Sequence, residues 1–111
     1  MDVVIKQFEV WLIELDPTKG SEIKKTRPCL VLSPNVVNKY LNTVSVIPIT
    51  TTIKPYPTRV NCIFKGTSGQ LMVEQMRGLD KIRLKKKLGI LDAEYCKTTC
   101  DLIIETYKWR G

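Results

Sequence analysis

The apolar residues of this chain occur in short runs, and residues that favour turns separate the runs. Residues 10–15 and 29–32 form two such runs, and Asp16, Pro17 and Gly20 lie between them. Proline fixes φ and removes a hydrogen-bond donor, whereas glycine admits positive φ, so the first run must end where these residues begin. Short runs between turn signals are typical of β-strands.

Three further segments have the composition of strands. Residues 43–49 and 59–64 alternate apolar and polar side chains, and residues 70–74 follow a turn predicted at 66–69. Between the second and third strands, Ser33, Pro34 and Asn35 predict the start of a short helix that continues to Tyr40. Five short strands with brief loops suggest a small barrel.

The C-terminal segment has a helical pattern instead. From Ala93, with Asp92 as a plausible N-cap, apolar residues recur at intervals of three and four: Cys96, Cys100, Ile103 and Tyr107. Charged residues fall on the opposite face: Glu94, Lys97, Asp101, Glu105 and Lys108. We expect this amphipathic helix to lie across an opening of the barrel. The predicted fold class is therefore mostly β (β+α), a small barrel of about five to seven strands with one C-terminal helix.

Length and composition favour a single domain over residues 1–111. With 43% hydrophobic residues, a chain of this length buries one modest core and leaves no room for a second. The sequence has no run of about 18 apolar residues to span a bilayer, and its N-terminus lacks the features of a signal peptide. We therefore expect a cytoplasmic protein whose four cysteines are reduced.

The charge of the chain is basic and unevenly distributed. The net charge is +7; residues 1–91 carry a balance of +8, whereas residues 92–111 carry −1. Lysine and arginine side chains that neutralise phosphates release counterions, so this balance favours a nucleic acid as the partner. A well-solvated basic surface without such a partner explains the charge equally well.

Histidine is absent from the sequence, and this absence narrows the possible chemistry. It removes the usual general base, the imidazole metal ligand and every nucleophilic arrangement that needs histidine. The aspartates and glutamates show no spacing typical of a metal site. We therefore expect no metal and no cofactor, so any phosphoryl chemistry must rely on other side chains.

Arg27 is the cation whose position the sequence constrains best. It is followed by Pro28 and by an apolar run, so it lies where a loop enters a strand rather than at a loop tip. An arginine held in this way suits an anion-binding or phosphoryl-transfer site. A surface ion pair is the more common role of such a residue.

Five segments of the chain follow one another in the order and at the spacing of a known family. They are FEVWL at 8–12, DPTKGSE at 16–22, TRP at 26–28, IPIT at 47–50 and EQMRGLD at 74–80. Together they resemble the MazF/PemK (Kid-like) toxins of bacterial type II toxin-antitoxin systems. The resemblance implies an SH3-like barrel with a C-terminal helix, a homodimer, and a cognate antitoxin protein whose acidic, flexible segment covers a basic groove.

The resemblance also implies an enzyme. The activity would be that of a toxin endoribonuclease, or mRNA interferase, which cuts single-stranded RNA at specific sequences without a metal and so arrests growth. Cleavage needs no nucleophile from the protein, because the ribose 2′-OH can attack its own phosphate. The protein must accept the hydroxyl proton and stabilise the dianionic phosphorane.

Three residues are the predicted catalytic groups. In the resemblance, the matching catalytic positions are Arg27 and Thr50. We expect Glu22, which shares a loop with Arg27, to accept the proton, with Glu74 as the alternative carboxylate. Without the resemblance, a β-favouring strand end explains Thr50, and a charge-balancing surface residue explains Glu22.

Several polar side chains near these positions could bind single-stranded RNA. Phosphates attract cations, and an unstacked base can stack on a tyrosine. The predicted RNA-binding residues are Lys19, Ser21, Lys24, Lys25, Lys54, Tyr56, Gln75 and Arg77. An ordinary surface loop stiffened by prolines is the simpler explanation of residues 54–57.

The chain departs from the family pattern at three positions. Ser21 stands where some members carry histidine, Met72 where some carry a second arginine, and Phe8 where glycine is usual. Neither Ser21 nor Met72 can supply the acid-base function of those residues. Arg27 and Thr50 are therefore the predicted catalytic residues that this chain still shares with the family pattern.

Two other features have structural explanations. In the basic segment 81–87 and just after it, we expect Ile82, Leu84 and Leu88 to pack inward while the cations are solvated. The four cysteines are expected to be small core residues rather than metal ligands: Cys29, Cys62, Cys96 and Cys100.

Two other function classes stay open from the sequence alone. A gyrase poison shares the barrel architecture and acts by binding a protein, for which Trp109 near the C-terminus could be an anchor. A non-catalytic nucleic-acid-binding barrel would need only the basic charge.

Overall fold

The computed structural model describes residues 3–15 and 25–111. The strands in this part of the chain are β1 (Glu9–Glu14), β2 (Thr26–Val31), β3 (Thr43–Thr50), β4 (Arg59–Phe64), β5 (Thr67–Met72), β6 (Arg77–Asp80) and β7 (Leu84–Ile90), and the helices are α1 (Asn35–Tyr40) and α2 (Ala93–Thr106). Turns of 3₁₀ helix at Val73–Gln75 and Lys81–Arg83 separate β5 from β6 and β6 from β7. No helix in the described ranges is long and apolar enough to cross a membrane.

The seven strands form one antiparallel sheet in the order β4, β5, β3, β2, β1, β7, with β6 also paired to β3. Strand β3 is the centre of this arrangement because it pairs with β2, β5 and β6. The predicted mostly β fold with a C-terminal helix is confirmed, as is the short helix after Ser33.

Side chains alternate across the sheet, so its apolar residues form two buried clusters, one on each face. The first cluster consists of Val10, Leu30, Ile47, Ile49, Val60, Cys62, Leu71, Val73, Leu91 and Cys96. The second consists of Ile5, Trp11, Ile13, Leu15, Cys29, Val31, Val44, Val46 and Leu79. Strands β1, β2 and β3 contribute to both clusters, which explains why two of them are continuous apolar runs in the sequence.

Helix α2 covers the first cluster and packs on β4. Cys96 and Thr99 are its buried residues; Cys96 belongs to the predicted apolar face, whereas Thr99 is a buried polar residue outside that prediction. Asp92 occupies the N-cap position but makes no side-chain capping hydrogen bond. Tyr107 does not belong to the packed face, contrary to the prediction: the helix ends at Thr106, and Tyr107 is 58% exposed.

The structure corrects the sequence prediction between β4 and α2. Lys65 and Gly66 form the turn before β5 with positive φ values of 49° and 78°, so the strand starts at Thr67 instead of after residue 69. The segment at 81–87 begins with the 3₁₀ turn Lys81–Arg83 and continues into β7, which begins at Leu84. Ile82 is 77% exposed rather than packed inward, since the Asp80 carboxylate accepts a hydrogen bond from its backbone N–H (3.1 Å) and holds it in the 3₁₀ turn.

Phe8 has a φ of 71°, a conformation that glycine adopts at no steric cost and other residues rarely adopt. Its backbone N–H donates to the carbonyl of Val31 (2.8 Å), and its carbonyl accepts from the N–H of Leu91 (3.1 Å). Its ring packs against the first cluster. These contacts offset a backbone strain on the order of 1 kcal/mol, so a residue other than glycine is accommodated in this conformation.

Glu9 is a buried carboxylate that joins β1 to β7. Its Oε2 lies 2.7 Å from Nζ of Lys87, and its Oε1 accepts from the backbone N–H of Lys6 (2.8 Å) and from Nε1–H of Trp11 (3.1 Å). Burial raises the pKa of Glu9, but the hydrogen bonds from Lys87, Lys6 and Trp11 outweigh it, so the net pKa is below the ordinary value. The charged form is therefore the one that stabilises the fold.

Replacing Glu9 by glutamine should reveal this charge as a pH-dependent loss of stability. A carboxylate with a depressed folded-state pKa stabilises the protein above its unfolded pKa, about 4.3, and this contribution is lost as pH falls through the folded value. We expect Glu9→Gln to lower the free energy of unfolding by about 1.5–3 kcal/mol at pH 7, and by clearly less at about pH 3. Urea denaturation at both pH values measures the difference.

The exposed Glu94 of α2 offers a matched control for this charge removal. Glu94→Gln should change the free energy of unfolding by less than about 0.5 kcal/mol at either pH. An equal effect of Glu9→Gln at both pH values would contradict the role given to the Glu9 charge.

Candidate functional site

Arg27 is held in β2 by pairing with β1. The antiparallel register places Arg27 opposite Ile13, and Pro28 opposite Leu12. Ile13 is fully buried, so this part of β1 is a rigid support, and Arg27 itself is partly buried. The prediction that Arg27 lies where the chain enters a strand, rather than at a loop tip, is confirmed.

The ladder between β2 and β3 ends close to Arg27. Its last pair joins Cys29 to Pro48, and β3 then pairs with β5 instead of β2. Proline has no N–H to donate, so Pro28 and Pro48 both remove bonds that could continue this ladder. Continued for two residues along each strand, the same register leads to Arg27 on β2 and to Thr50 on β3. Both residues therefore lie on one face of the sheet, at the point where the two strands stop pairing.

Arg77 belongs to the same face. It lies opposite Val46 on β3, and Val46 in turn lies opposite Val31 on β2. Burial raises the pKa of the Cys29 thiol to about 12, while the positive charges of Arg27 and Arg77 both act in the opposite direction. Two guanidinium groups from different strands thus act on one buried point, and the site is electropositive.

Thr50 carries a hydroxyl at the last position of β3. The residue is 7% exposed, and its Oγ1 accepts a hydrogen bond from the backbone N–H of Thr52 (3.1 Å). A hydroxyl that accepts in this way can still donate its own proton. Thr50 also pairs with Gln70 of β5, which fixes it from the side away from β2.

The loop at residues 51–58 follows Thr50 and carries Lys54 and Tyr56, both exposed. The backbone N–H of Lys54 donates to Oε1 of Gln70 (3.0 Å), and its carbonyl accepts from Nε2 of Gln70 (3.1 Å). The Arg59 guanidinium lies 5.0 Å from the centre of the Tyr56 ring. The predicted Lys54 is therefore joined to Gln70, the strand partner of Thr50, and the predicted Tyr56 of the same loop lies against Arg59.

Glu74 is engaged by other groups. Its Oε2 accepts from Nε of Arg59 (2.8 Å), and its Oε1 accepts from the Thr58 hydroxyl (2.9 Å). Burial raises the pKa of Glu74, but the hydrogen bonds that its carboxylate accepts, including those from Arg59 and Thr58, lower the pKa by more. The net pKa is therefore below the ordinary value. A carboxylate stabilised in its charged form is a weaker base, which disfavours Glu74 as the proton acceptor.

Several predicted site residues lie outside the described part of the chain: Lys19, Ser21, Glu22 and Lys24. Lys25 lies inside it, is exposed, and precedes β2 directly, where its carbonyl accepts from the N–H of Leu15 (3.1 Å). Gln75 is exposed in the 3₁₀ turn before Arg77. Met72 is buried (4% exposed) on β5, so its side chain belongs to the core.

Two residues next to the site have no place in the sequence prediction. Gln70 and Arg59 hold the loop at residues 51–58, as described above. The sequence feature that points to these two residues is the presence of polar Asn61 and Gln70 within strands. Asn61 of β4 and Gln70 of β5 lie opposite each other. Sequence spacing alone does not indicate which of these polar side chains is buried.

The cysteines behave as core residues. All four are free; Cys29, Cys62 and Cys96 are buried and Cys100 is partly buried. Within residues 3–15 and 25–111, no group of three or more cysteine, aspartate and glutamate side chains is arranged to hold a metal ion.

Comparison with known proteins identifies the family. A family model described as PemK-like, MazF-like toxin of type II toxin-antitoxin system matches residues 6–106. The chain belongs to this toxin family. The resemblance of its five sequence segments to MazF/PemK toxins is thereby confirmed.

Solved structures of such toxins have the same fold. MazF from Deinococcus radiodurans is 25% identical with a TM-score of 0.82, and the match covers 97% of this chain and 100% of that one. A MazE-MazF structure from the same organism is 25% identical with a TM-score of 0.86, covering 98% and 100%. An endoribonuclease in complex with its cognate antitoxin, from a mycobacterial species, is 20% identical with a TM-score of 0.77, covering 96% and 99%.

Within the toxin fold, Gly69 of β5 lies close to the backbone of Thr50. A Cβ atom at Gly69 would lie 2.7 Å from the carbonyl oxygen of Thr50, a backbone atom that can move only if β3 moves. We expect Gly69→Ala to lower the free energy of unfolding by about 1–3 kcal/mol, measured by urea denaturation.

Gly78 of β6 is the matched control. A Cβ atom there would meet only the carbonyl oxygen of Val44, at 3.9 Å, so Gly78→Ala should change the free energy of unfolding by less than about 0.5 kcal/mol. Equal effects of the two substitutions would contradict the close approach of Gly69 to Thr50.

Proposed function

We propose that this protein is a toxin endoribonuclease that cuts single-stranded RNA, chiefly mRNA, at specific sequences. The observation that carries the proposal is the convergence of Arg27 and Thr50 on one face of the sheet, where β2 and β3 stop pairing. A cation and a hydroxyl donor at an opening between strands suit a phosphate. Membership of the toxin family supports the same activity.

In the proposed mechanism, the ribose 2′-oxygen attacks the adjacent phosphorus. Glu22 accepts the 2′-OH proton, and a dianionic phosphorane forms. The guanidinium of Arg27 and the hydroxyl of Thr50 donate hydrogen bonds to its oxygens, and Arg27 supplies a proton to the departing 5′-oxygen. The P–O5′ bond breaks, which leaves a 2′,3′-cyclic phosphate and a 5′-hydroxyl. No step requires a metal or a cofactor.

The RNA strand would run along the basic residues that surround Thr50. Lys25, which directly precedes β2, and Arg77 of β6 are exposed and would bind phosphates, together with Lys19 and Lys24. Tyr56 would stack on an unpaired base. Lys54 would bind the adjacent phosphate, while Ser21 and Gln75 would offer hydrogen bonds to the strand.

We propose two protein partners in addition to the RNA. The first is a cognate antitoxin, by analogy with the MazE-MazF and mycobacterial toxin-antitoxin complexes. Its acidic, flexible segment would neutralise the basic surface of a chain with net charge +7 and so compete with RNA. The second is another copy of the chain, as a homodimer. The cytoplasm, where mRNA is found, is the proposed location.

The proposal is tested by incubating the purified protein with a mixed pool of single-stranded RNA in EDTA and mapping the cut sites. We expect wild type to cut the pool. Arg27→Ala should lower kcat about 100- to 1,000-fold, because one charged donor to the phosphorane is lost. Arg110→Ala, which removes an exposed arginine near the C-terminus, should cleave as wild type does.

Intact RNA after incubation with wild type, over varied sequences, would refute the endoribonuclease. Equal rates for wild type and Arg27→Ala would refute the mechanism. The gyrase alternative has support in the exposure of Trp109, which is 87% exposed. Inhibition of DNA supercoiling by a protein that leaves RNA intact would favour that alternative.

The hydroxyl of Thr50 can be tested with a pair of substitutions. Thr50→Val keeps the shape but removes the donor, so kcat should fall about 100-fold. Thr50→Ser keeps the hydroxyl and should have a kcat close to that of wild type. Because Thr50→Val also leaves the N–H of Thr52 without its acceptor, urea denaturation must show that it is folded under assay conditions. Similar kcat values for Thr50→Val and Thr50→Ser would contradict a catalytic hydroxyl.

A further inference from the structure

We propose that Gln70, supported by Arg59, is a positioning residue that holds the loop at residues 51–58 beside Thr50 and so determines which base is accepted next to the cut. This inference rests on the proposed function. It assigns a role in base selection to two residues that make no contact in the proposed catalytic step.

Gln70 uses the full hydrogen-bonding capacity of its side chain. Its Oε1 accepts from the backbone N–H of Lys54 (3.0 Å) and from Nη1 of Arg59 (3.2 Å). Its Nε2 donates to the carbonyl of Lys54 (3.1 Å) and to Oδ1 of Asn61 (2.9 Å). The residue is 4% exposed. An amide with two acceptor and two donor bonds in a buried position has one orientation, so its contacts with Lys54 are geometrically fixed.

Arg59 extends the same network to the aromatic side chain of the loop. Its Nε donates to Oε2 of Glu74 (2.8 Å), and its guanidinium lies 5.0 Å from the centre of the Tyr56 ring. The Arg59 side chain is only 8% exposed. A guanidinium held by a carboxylate and an amide is a rigid support for an aromatic ring, and a cation over a ring is attractive. Tyr56 is 49% exposed and remains accessible to a base.

Other contacts hold the two ends of the loop: the N–H of Thr52 donates to Oγ1 of Thr50 (3.1 Å), and the Thr58 hydroxyl donates to Oε1 of Glu74 (2.9 Å). Residues 51–57 are exposed, and the loop contains Pro55 and Pro57, which have no N–H to donate. In the middle of the loop, the backbone N–H and the carbonyl of Lys54 both bond to the side chain of Gln70. Without Gln70, the loop would sample several conformations, since few apolar groups order it.

Gln70 also determines where the loop stands relative to the catalytic face. It is the strand partner of Thr50, while its side chain binds Lys54 four residues further along the chain. One residue therefore sets the position of Tyr56 and Lys54 with respect to the scissile phosphate. Groups that bind a flanking base equally in the ground and transition states change KM rather than kcat.

The test compares Gln70→Ala and Gln70→Glu with wild type on the mixed RNA pool and on one cleaved oligonucleotide. We expect Gln70→Ala to raise KM about tenfold with little change in kcat, and to broaden the set of bases found next to the cut. Gln70→Glu keeps the acceptor contacts of Oε1 but places a second carboxylate oxygen against the carbonyl of Lys54 and Oδ1 of Asn61, so its KM should rise at least as much.

Asn38→Ala controls for loss of a buried amide elsewhere. Asn38 is a residue of α1 and 2% exposed, and two hydrogen bonds join its side chain to Ser33 rather than to the loop. Asn38→Ala should lower the free energy of unfolding, measured by urea denaturation, and should leave KM and the bases next to the cut as in wild type. If Gln70→Ala behaves as Asn38→Ala does in all three measurements, Gln70 has only a structural role and the proposal is wrong.

A double-mutant cycle tests whether Gln70 acts through Tyr56. Tyr56→Ala alone should raise KM about tenfold, and the double variant with Gln70→Ala should raise it no further, because the loop no longer presents a ring. Multiplied effects in the double variant would overturn the proposal.

Binding of a 2′-O-methyl RNA oligonucleotide, which cannot be cleaved through a 2′-OH, separates this inference from the proposed activity. If wild type leaves RNA intact but Gln70→Ala still weakens binding and base preference, the proposed cleavage fails and the positioning role stands. If wild type cleaves and the Gln70 variants match it in binding and in base preference, the proposed cleavage stands and the positioning role fails.

Discussion

The pairing of β3 with three other strands is the constraint on which the rest of the structure depends. Its first half pairs with β6, its middle with β2, and Ile49 and Thr50 with β5. A shift of one residue would exchange Val44 and Val46 with Ile47 and Ile49 between the two buried clusters, so the register is strongly specified. The position of Thr50 follows from this register.

The opening at the site comes from the loss of pairing next to β3. Pro28 and Pro48 lie in central strands, where proline is rare because it lacks a donor. The end of β3 is held on its opposite edge by pairing with β5, while β1 continues to support Arg27. A charged side chain and a hydroxyl can therefore lie between rigid strands without a ladder between them.

Three buried polar side chains satisfy their hydrogen bonds in different ways. Glu9 joins two strands through a charge, and Asn38 closes a turn before α1 through Ser33. Gln70 instead binds the backbone of an exposed loop. A buried polar group is costly unless it is fully bonded, so each of these residues specifies one local arrangement. Gln70 connects its arrangement to Thr50 itself, because the two residues are strand partners.

Much of the fold was predictable from local sequence. The apolar runs around Val10 and Cys29 indicated strands because turn-forming residues bound them, and the spacing from Cys96 to Ile103 indicated α2. Strands β6 and β7 were not predictable, because a glycine in one and three lysines in the other hide the pattern. These strands form because β3 and β1 offer them partners. In both strands, pairing with a neighbouring strand outweighs the low intrinsic β propensity of the residues.

The residue types available for chemistry were determined by the sequence alone: no histidine, a basic balance, and Arg27 ahead of a proline and an apolar run. Tertiary structure decided which of these residues meet. Strand register brings Arg27 and Thr50 to one face of the sheet. The Glu74 carboxylate instead accepts hydrogen bonds from Arg59 and Thr58. The buried side chain of Gln70 bonds to the backbone of Lys54. The physical reason is that strand pairing and the burial of polar groups depend on residues far apart in the chain, whereas turns and periodicity depend on neighbours.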